Sequence, residues 1–150
     1  MLFGHIAVSL LQHRYLKADL APVVAGGLFP DVLDKTMCQV LHITPSGRMW
    51  GHTILSLVLS TFTVGIARGR RTAIGWAVGY IGHLVADTGG QVPWLYPFAS
   101  YVFKPSPSFR EILKRWAEDR REIVIETGLL VWGLLWAWNG AQSAASRGHR

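Results

Sequence analysis

The chain has 150 residues, which fits one domain, and its low charged fraction of 16% beside 50% hydrophobic residues excludes intrinsic disorder. Its 15 Lys and Arg residues against 9 Asp and Glu give a net charge of +6, a balance that favours a membrane or a phosphate-rich partner. The single cysteine, Cys38, excludes an internal disulfide framework and a CxxC site, so a metal would need His and carboxylate ligands.

The N-terminal half contains the first predicted helices. Apolar residues at helical spacing predict a short amphipathic helix over 1–16, which lacks the basic region and cleavage site of a signal peptide. Residues 18–29 are apolar, and we expect the chain to leave this helix at Pro30-Asp31. The uncharged run 51–67 and the run 72–86 predict two antiparallel helices, joined by a basic turn at 68–71.

The C-terminal part predicts an interfacial region followed by a third apolar run. Residues 88–109 are rich in Gly, Pro and aromatic side chains, which suits a membrane interface. Residues 108–122 predict an amphipathic basic helix, and 123–138 are apolar except for Glu126. Residues 140–150 are small and polar, so we expect a disordered tail after a single domain at 1–139.

The three apolar runs are borderline for crossing a membrane, since a span needs about 20 residues and 17 is near the minimum. An all-α soluble protein with buried helices is the alternative. The scarcity of charge and the tryptophans at 132, 136 and 138 favour the membrane. We therefore predict an all-α, multi-pass membrane helical bundle with short interfacial helices. The distribution of Lys and Arg slightly favours a cytoplasmic position for the end of the hairpin opposite the basic turn.

That end of the hairpin carries ionisable residues. In antiparallel pairing about the 68–71 turn, His52 lies level with Asp87, and His83 lies one helical turn from Asp87. Ionisable groups in apolar surroundings are costly, and a divalent cation would offset that cost. Capping or an ion pair is the alternative for each of these residues.

Three further residues are candidates for the same site. Asp31 and Asp34 follow the second apolar segment, and His5 lies in the first helix. Asp31 could instead cap a helix, and His5 could be a satisfied histidine at a helix interface.

Residues 1–98 resemble the LexA-regulated, membrane-bound metal-dependent hydrolase family, a group of YdjM-like inner-membrane proteins. The resemblance depends on the order of several short elements, namely Gly4-His5, Phe29-Pro30-Asp31, Arg48, Gly51-His52-Thr53 and Gly79-Tyr80-x-x-His83-x-x-x-Asp87. Two departures occur. The second acid, Asp34, lies one position later than in the family, and the first His of its HRGxTHS-type element is absent.

The resemblance implies a metal site and a fold. The family is distantly similar to zinc-dependent phospholipase C and P1 nuclease, which are all-α metallohydrolases. Carried over in order, this implies one or two divalent ions, zinc being the expected metal, with these ligands: His5, Asp31, His52, His83 and Asp87.

The expected reaction is hydrolysis of a phosphoester, of a lipid or a lipid-linked compound, by a metal-activated water at the inner membrane. Asp31 or Asp34 would orient the water or accept its proton, and Arg48 would bind phosphate or serve as an interfacial anchor. A non-catalytic membrane protein with a structural metal or polar cluster is the main alternative. The third hypothesis is a basic module that binds a membrane surface or a nucleic acid. The sequence contains no nucleic-acid-binding motif, so we expect no nucleic-acid partner.

Overall fold

The computed structural model describes residues 2–89, 92–107, 110–111, 114, 123–124, 127–135 and 138–139. The described part is helical and contains no strand, so the predicted all-α class is confirmed. Residues 127–135 are also helical. The long helices and the two short turns that extend them are α1 (Leu2–Leu16), α2 (Leu20–Lys35), the π-helical turn Thr36–Val40, α3 (Ile54–Arg68), α4 (Arg70–Ala86) and the 3-10 turn Asp87–Gly89.

Helix α4 lies at the centre and contacts α1, α2 and α3. It crosses α2 so closely that the two backbones touch. A Cβ atom added to Gly79 would lie 1.8 Å from the carbonyl oxygen of Val23, and one added to Gly26 would lie 2.1 Å from that of Trp76. Only glycine allows this approach, so these two positions fix how α2 and α4 pack.

The predicted hairpin forms from α3 and α4. Thr53 caps the start of α3, because its side-chain oxygen accepts a hydrogen bond from the Ser56 amide at 3.0 Å. The predicted four-residue turn is shorter than expected: Gly69 alone separates the two helices, with φ +84° in the region that favours glycine. Because Thr53 is the cap and α3 begins at Ile54, His52 precedes the helix and does not lie within it, contrary to the predicted helix over 51–67.

The expected helix end at Pro30 was wrong. Helix α2 continues through Pro30 to Lys35, and Asp31 and Asp34 lie on its last turns. Proline removes one backbone hydrogen bond, but Pro30 is fully buried and its carbonyl packs against Gly51. Tertiary packing outweighs the local preference for a break.

Polar and apolar side chains are distributed unusually in the described residues. The buried polar set includes His5, Asp31, Asp34, His52 and His83, whereas many large apolar side chains are exposed. On α3 alone, Val58, Leu59, Phe62 and Ile66 are each more than half exposed. An apolar outer surface of this kind needs a partner that covers it.

The expected multi-pass arrangement is not supported. Among the described residues, the helices are too short or too polar to cross a bilayer. A helix of 15 to 17 residues rises about 23–26 Å, below the roughly 30 Å of a hydrocarbon core. Most of the predicted basic helix at 108–122, together with Glu126 and the tail 140–150, lies outside the described residues.

Candidate metal centre

Four segments of the chain meet at the end of the bundle away from Gly69. Helix α1 contributes His5, and α2 contributes its last two turns. The connection before α3 contributes His52. The last turn of α4 contributes His83, and the 3-10 turn that follows contributes Asp87. Candidate ligand atoms lie within 4.8 Å of one another in two groups that share His83. The groups are His5, His83 and Asp87, and Asp31, His52 and His83.

The orientation of His83 is fixed by the backbone of α2. Its Nδ1 lies 2.7 Å from the carbonyl oxygen of Gly27. A carbonyl only accepts hydrogen bonds, so Nδ1 carries the proton and Nε2 of the neutral ring carries a lone pair. This is the arrangement found in metal-binding histidines, whose other ring nitrogen donates to a carbonyl or carboxylate.

Asp34 holds His52 in the same way. Its Oδ2 lies 2.8 Å from His52 Nδ1, and both side chains are fully buried. The Asp34 carboxylate also accepts hydrogen bonds at 2.7 Å from the backbone amides of Met49 and Gly51. Asp34 therefore faces the connection before α3, and His52 Nε2 is left to face the cluster.

The two Nε2 atoms of His52 and His83 lie only 3.1 Å apart. With both Nδ1 atoms donating elsewhere, the neutral rings direct two lone pairs at each other, which is repulsive unless a cation or a proton lies between them. Two imidazole nitrogens bound to one tetrahedral zinc ion at 2.0–2.1 Å would be about 3.4 Å apart. The His52–His83 pair thus fits a shared divalent ion.

Two carboxylates complete the surroundings of this pair. Asp31 Oδ1 lies 3.8 Å and Asp87 Oδ2 3.4 Å from His52 Nε2. Each carboxylate also has a cationic neighbour. Asp31 pairs with Lys35 at 2.6 Å, and Asp87 lies 2.8 Å from Arg48.

His5 lies against the other side of the cluster. Its ring stacks on that of His83 with centroids 3.9 Å apart, and its Nε2 is 3.4 Å from Asp87 Oδ1. Its Nδ1 is buried and has no hydrogen-bond partner among the described residues. A buried ring nitrogen without a partner is costly, and a metal ion could satisfy it.

The pKa shifts favour neutral rings on one side of the cluster. Burial lowers the pKa of His83 to about 4, and the neighbouring His5 and His52 add to this effect. Burial also lowers the pKa of His5, against the attraction of Asp87. Both rings are therefore neutral at pH 7, as metal binding requires.

The remaining groups shift toward their charged forms. Burial opposes ionisation of Asp87 and Asp31, but His52 and Arg48 beside Asp87, and Lys35 beside Asp31, hold the pKa of each carboxyl below its usual range. For His52, hydrogen bonds to Asp34 and Asp87 outweigh burial and raise the pKa of the ring. A proton at His52 Nε2 would therefore compete with a metal for the same lone pair.

A cavity of about 380 Å³ opens beside the cluster. His5 and Asp31 form part of its wall, so the cavity gives access to the candidate ligands. Three cationic side chains also line it, namely Lys35, Arg48 and Lys104. The charge of this wall suits an anionic group placed next to the metal centre.

The structure brings together all five residues that the sequence predicted as metal ligands. Asp34 binds the Nδ1 side of His52 and does not line the cavity. Arg48 pairs with Asp87 and also forms part of the cavity wall. The predicted site did not include Lys35 or Lys104. Lys35 follows Asp31 by four residues on one helix, a spacing that could have revealed the pair. Lys104 lies in an irregular loop with no such signal.

Neither curated proteins nor solved structures show a match, so the expected kinship with zinc-dependent phospholipase C and P1 nuclease is not shown. A family model described as YdjM inner membrane protein matches residues 1–145, which is nearly the whole chain. The chain therefore belongs to the YdjM inner membrane protein family.

Proposed function

We propose that this protein is a metal-dependent hydrolase that cleaves a phosphoester at the inner membrane. The observation that carries the proposal is the pair of Nε2 atoms of His52 and His83, 3.1 Å apart, with each Nδ1 already engaged. Such a pair needs a cation or a proton between its two nitrogens, and the two buried carboxylates beside it favour a divalent ion. The ligands would be His52, His83, Asp31 and Asp87, with His5 and the neighbouring Asp87 carboxylate available for a second ion.

A bound zinc-like ion would supply hydroxide at neutral pH, because it lowers the pKa of its water from 15.7 to about 7. In this reaction the water oxygen would form a bond to phosphorus, the ester oxygen would leave, and the protons of the water would pass to the leaving group and to solvent. Asp31 lies at the boundary between the ligand cluster and the cavity, where its carboxylate can accept a hydrogen bond from the water.

The cavity wall would bind the phosphate. Arg48 can donate two parallel hydrogen bonds to phosphate oxygens, and Lys35 and Lys104 add point charges. The pair formed by Arg48 and Asp87 links this wall to the cluster, so a phosphate held by Arg48 lies next to the metal ligands. We also propose that the end of the bundle that carries the metal centre faces the cytoplasm.

Metal analysis of the detergent-purified protein tests the assignment. We expect one or two zinc ions per chain, and their loss in a His83→Ala, Asp87→Ala variant. His42→Asn is the matched control, because His42 is exposed with φ +54°, a conformation that asparagine tolerates. Equal metal content in wild type and the double variant would sink the assignment.

A structural polar cluster is the second candidate function. The pairs Lys35–Asp31 and Arg48–Asp87 neutralise both carboxylates without an ion, which favours a purely structural role. A panel of phosphomonoesters and phosphodiesters separates the two candidates. Bound metal without turnover of any ester would favour the structural one.

A further inference from the structure

A second cavity, of about 620 Å³, runs along α2 and the π-helical turn beside the cation-lined cavity. Its lining falls into two rows of residues spaced by four, which place each row on one face of the helix. The row that we call apolar consists of Leu28, Val32 and Val40 together with Thr36, which adds one hydroxyl group, and the polar row consists of Asp31, Lys35 and Gln39. We call this second cavity the α2 groove.

The polar row belongs to both cavities. Asp31, Lys35 and Gln39 line the cation-lined cavity on one side and the α2 groove on the other. A single molecule lying across this row would therefore touch both. On the far side of the row, Val32 is 61% and Val40 69% exposed, so the groove offers apolar surface that is open to a ligand.

From this continuity we infer that the substrate is an amphiphilic phosphoester, with its phosphate in the cation-lined cavity and one hydrocarbon chain in the α2 groove. This inference rests on the proposed function and adds the substrate class to it. Residues 28–40 span about 18 Å along the helix, which suits an extended hydrocarbon chain. The cations attract the phosphate, and the apolar row removes the chain from water.

Two esters with the same leaving group test the inference in the metal-loaded protein. They are p-nitrophenyl methyl phosphate and p-nitrophenyl dodecyl phosphate. In both, the water oxygen bonds to phosphorus and the bond to the phenolate oxygen breaks, which yields the alkyl phosphate monoanion, p-nitrophenolate and a proton. We expect kcat/KM to be at least about tenfold higher for the dodecyl ester, a gain that burial of about two methylene groups would supply.

Polar substitution of the groove should remove that preference. In a Val32→Asn, Val40→Asn variant, the ratio of the two kcat/KM values should fall about tenfold. Both side chains are exposed, so the fold should tolerate the change. Val58→Asn, at a similarly exposed valine on α3, is the matched control and should leave the ratio unchanged.

A second readout does not need turnover. Dodecyl phosphate with a diazirine at its terminal carbon should label residues 28–40 on illumination, as located by mass spectrometry.

Equal cleavage of both esters, or labelling elsewhere, overturns the inference and leaves the hydrolase proposal intact. Labelling at 28–40 without cleavage of either ester overturns the hydrolase and supports the chain site. Neither cleavage nor labelling overturns both. A changed oligomeric state in the double variant would make the groove a contact between copies and overturn the inference.

Discussion

The carboxylate of Asp34 and the imidazole of His52 form a fully buried hydrogen-bonded pair, 2.8 Å from Oδ2 to Nδ1. The bond fixes which nitrogen of His52 faces the cluster. Because two backbone amides hold the same carboxylate, the orientation of the ring is set by the connection before α3 as well as by α2. Asp34 is thus a positioning residue in the proposed metal centre.

Asn at position 34 should therefore weaken metal binding. In Asp34→Asn the amide nitrogen can donate to His52 Nδ1, which favours the tautomer with a proton on Nε2. We expect the zinc affinity to fall about 10- to 100-fold, as measured by titration against a competing chelator. Asp19→Asn is the control, since Asp19 pairs with Arg71 at the other end of the bundle. Unchanged affinity in Asp34→Asn would contradict the positioning role.

Removal of charge from the cavity wall should weaken the binding of anions. A hydrogen bond to a charged group contributes about 1.5–3 kcal/mol, so Arg48→Gln and Lys35→Met should each raise the inhibition constant of inorganic phosphate roughly 10- to 100-fold. Arg71→Gln, at an exposed arginine away from the cavity, should leave it unchanged. The readout is inhibition of ester hydrolysis at a fixed pH and ionic strength. Equal inhibition of all variants would show that phosphate binds elsewhere.

The metal-free protein should lose stability on acidification between pH 6.5 and about 4. The pKa of His83 is about 4 in the folded chain against 6.5 for a free imidazole, so in this window the unfolded chain binds more protons at this position. The contribution of neutral His83 to the free energy of unfolding is therefore fully present above pH 6.5 and is lost as the pH falls toward 4. The difference amounts to about 3 kcal/mol at most.

Neighbouring groups modify this dependence. The lowered pKa of His5 acts in the same direction, and the raised pKa of His52 acts against both. The lowered pKa values of Asp31 and Asp87 add a further loss of stability only as the pH falls below about 4. Thermal unfolding in the presence of a chelator, with His83→Gln beside wild type, measures the His83 contribution. An identical pH slope in the two proteins would refute it.

Alanine at position 79 should disrupt the α2–α4 contact. Its Cβ would lie 1.8 Å from the Val23 carbonyl, so the helices must separate. We expect a loss of about 3 kcal/mol or more, and a lower zinc affinity, because His83 moves away from Gly27. Gly65→Ala is the control, since its Cβ would make an ordinary 3.6 Å contact and alanine favours the helix by up to about 1 kcal/mol. Thermal unfolding compares the two, and equal midpoints would contradict the packing interpretation.

Much of the cluster could be predicted from sequence because helical periodicity converts spacing into direction. His83 and Asp87 are four residues apart, and the turn near Gly69 aligns His52 with them. The path of α2 could not be predicted, because local rules end a helix at Pro30, whereas burial against Gly51 carries it on to Lys35. That extension is what places Asp34 behind His52.

The membrane arrangement was harder to predict for a different reason. Hydropathy measures how many residues of a segment are apolar. It does not measure whether the helix is long enough to span a bilayer. The exposed Val58 and Phe62 of α3 account for the apolar composition, whereas the buried polar cluster accounts for the few charges. The same composition fits helices that cross a membrane and helices that expose an apolar face.

The backbone contact between α2 and α4 has a consequence for anyone who wishes to rebuild this site. Gly79 lies one turn before His83, and the carbonyl that orients the imidazole belongs to Gly27, next to Gly26 in the contact itself. A scaffold that copied the five ligands but held the two helices at an ordinary separation would leave the His83 ring free to rotate. A copy of this site must therefore include the glycines of the helix contact, Gly26 and Gly79, as well as the ligands.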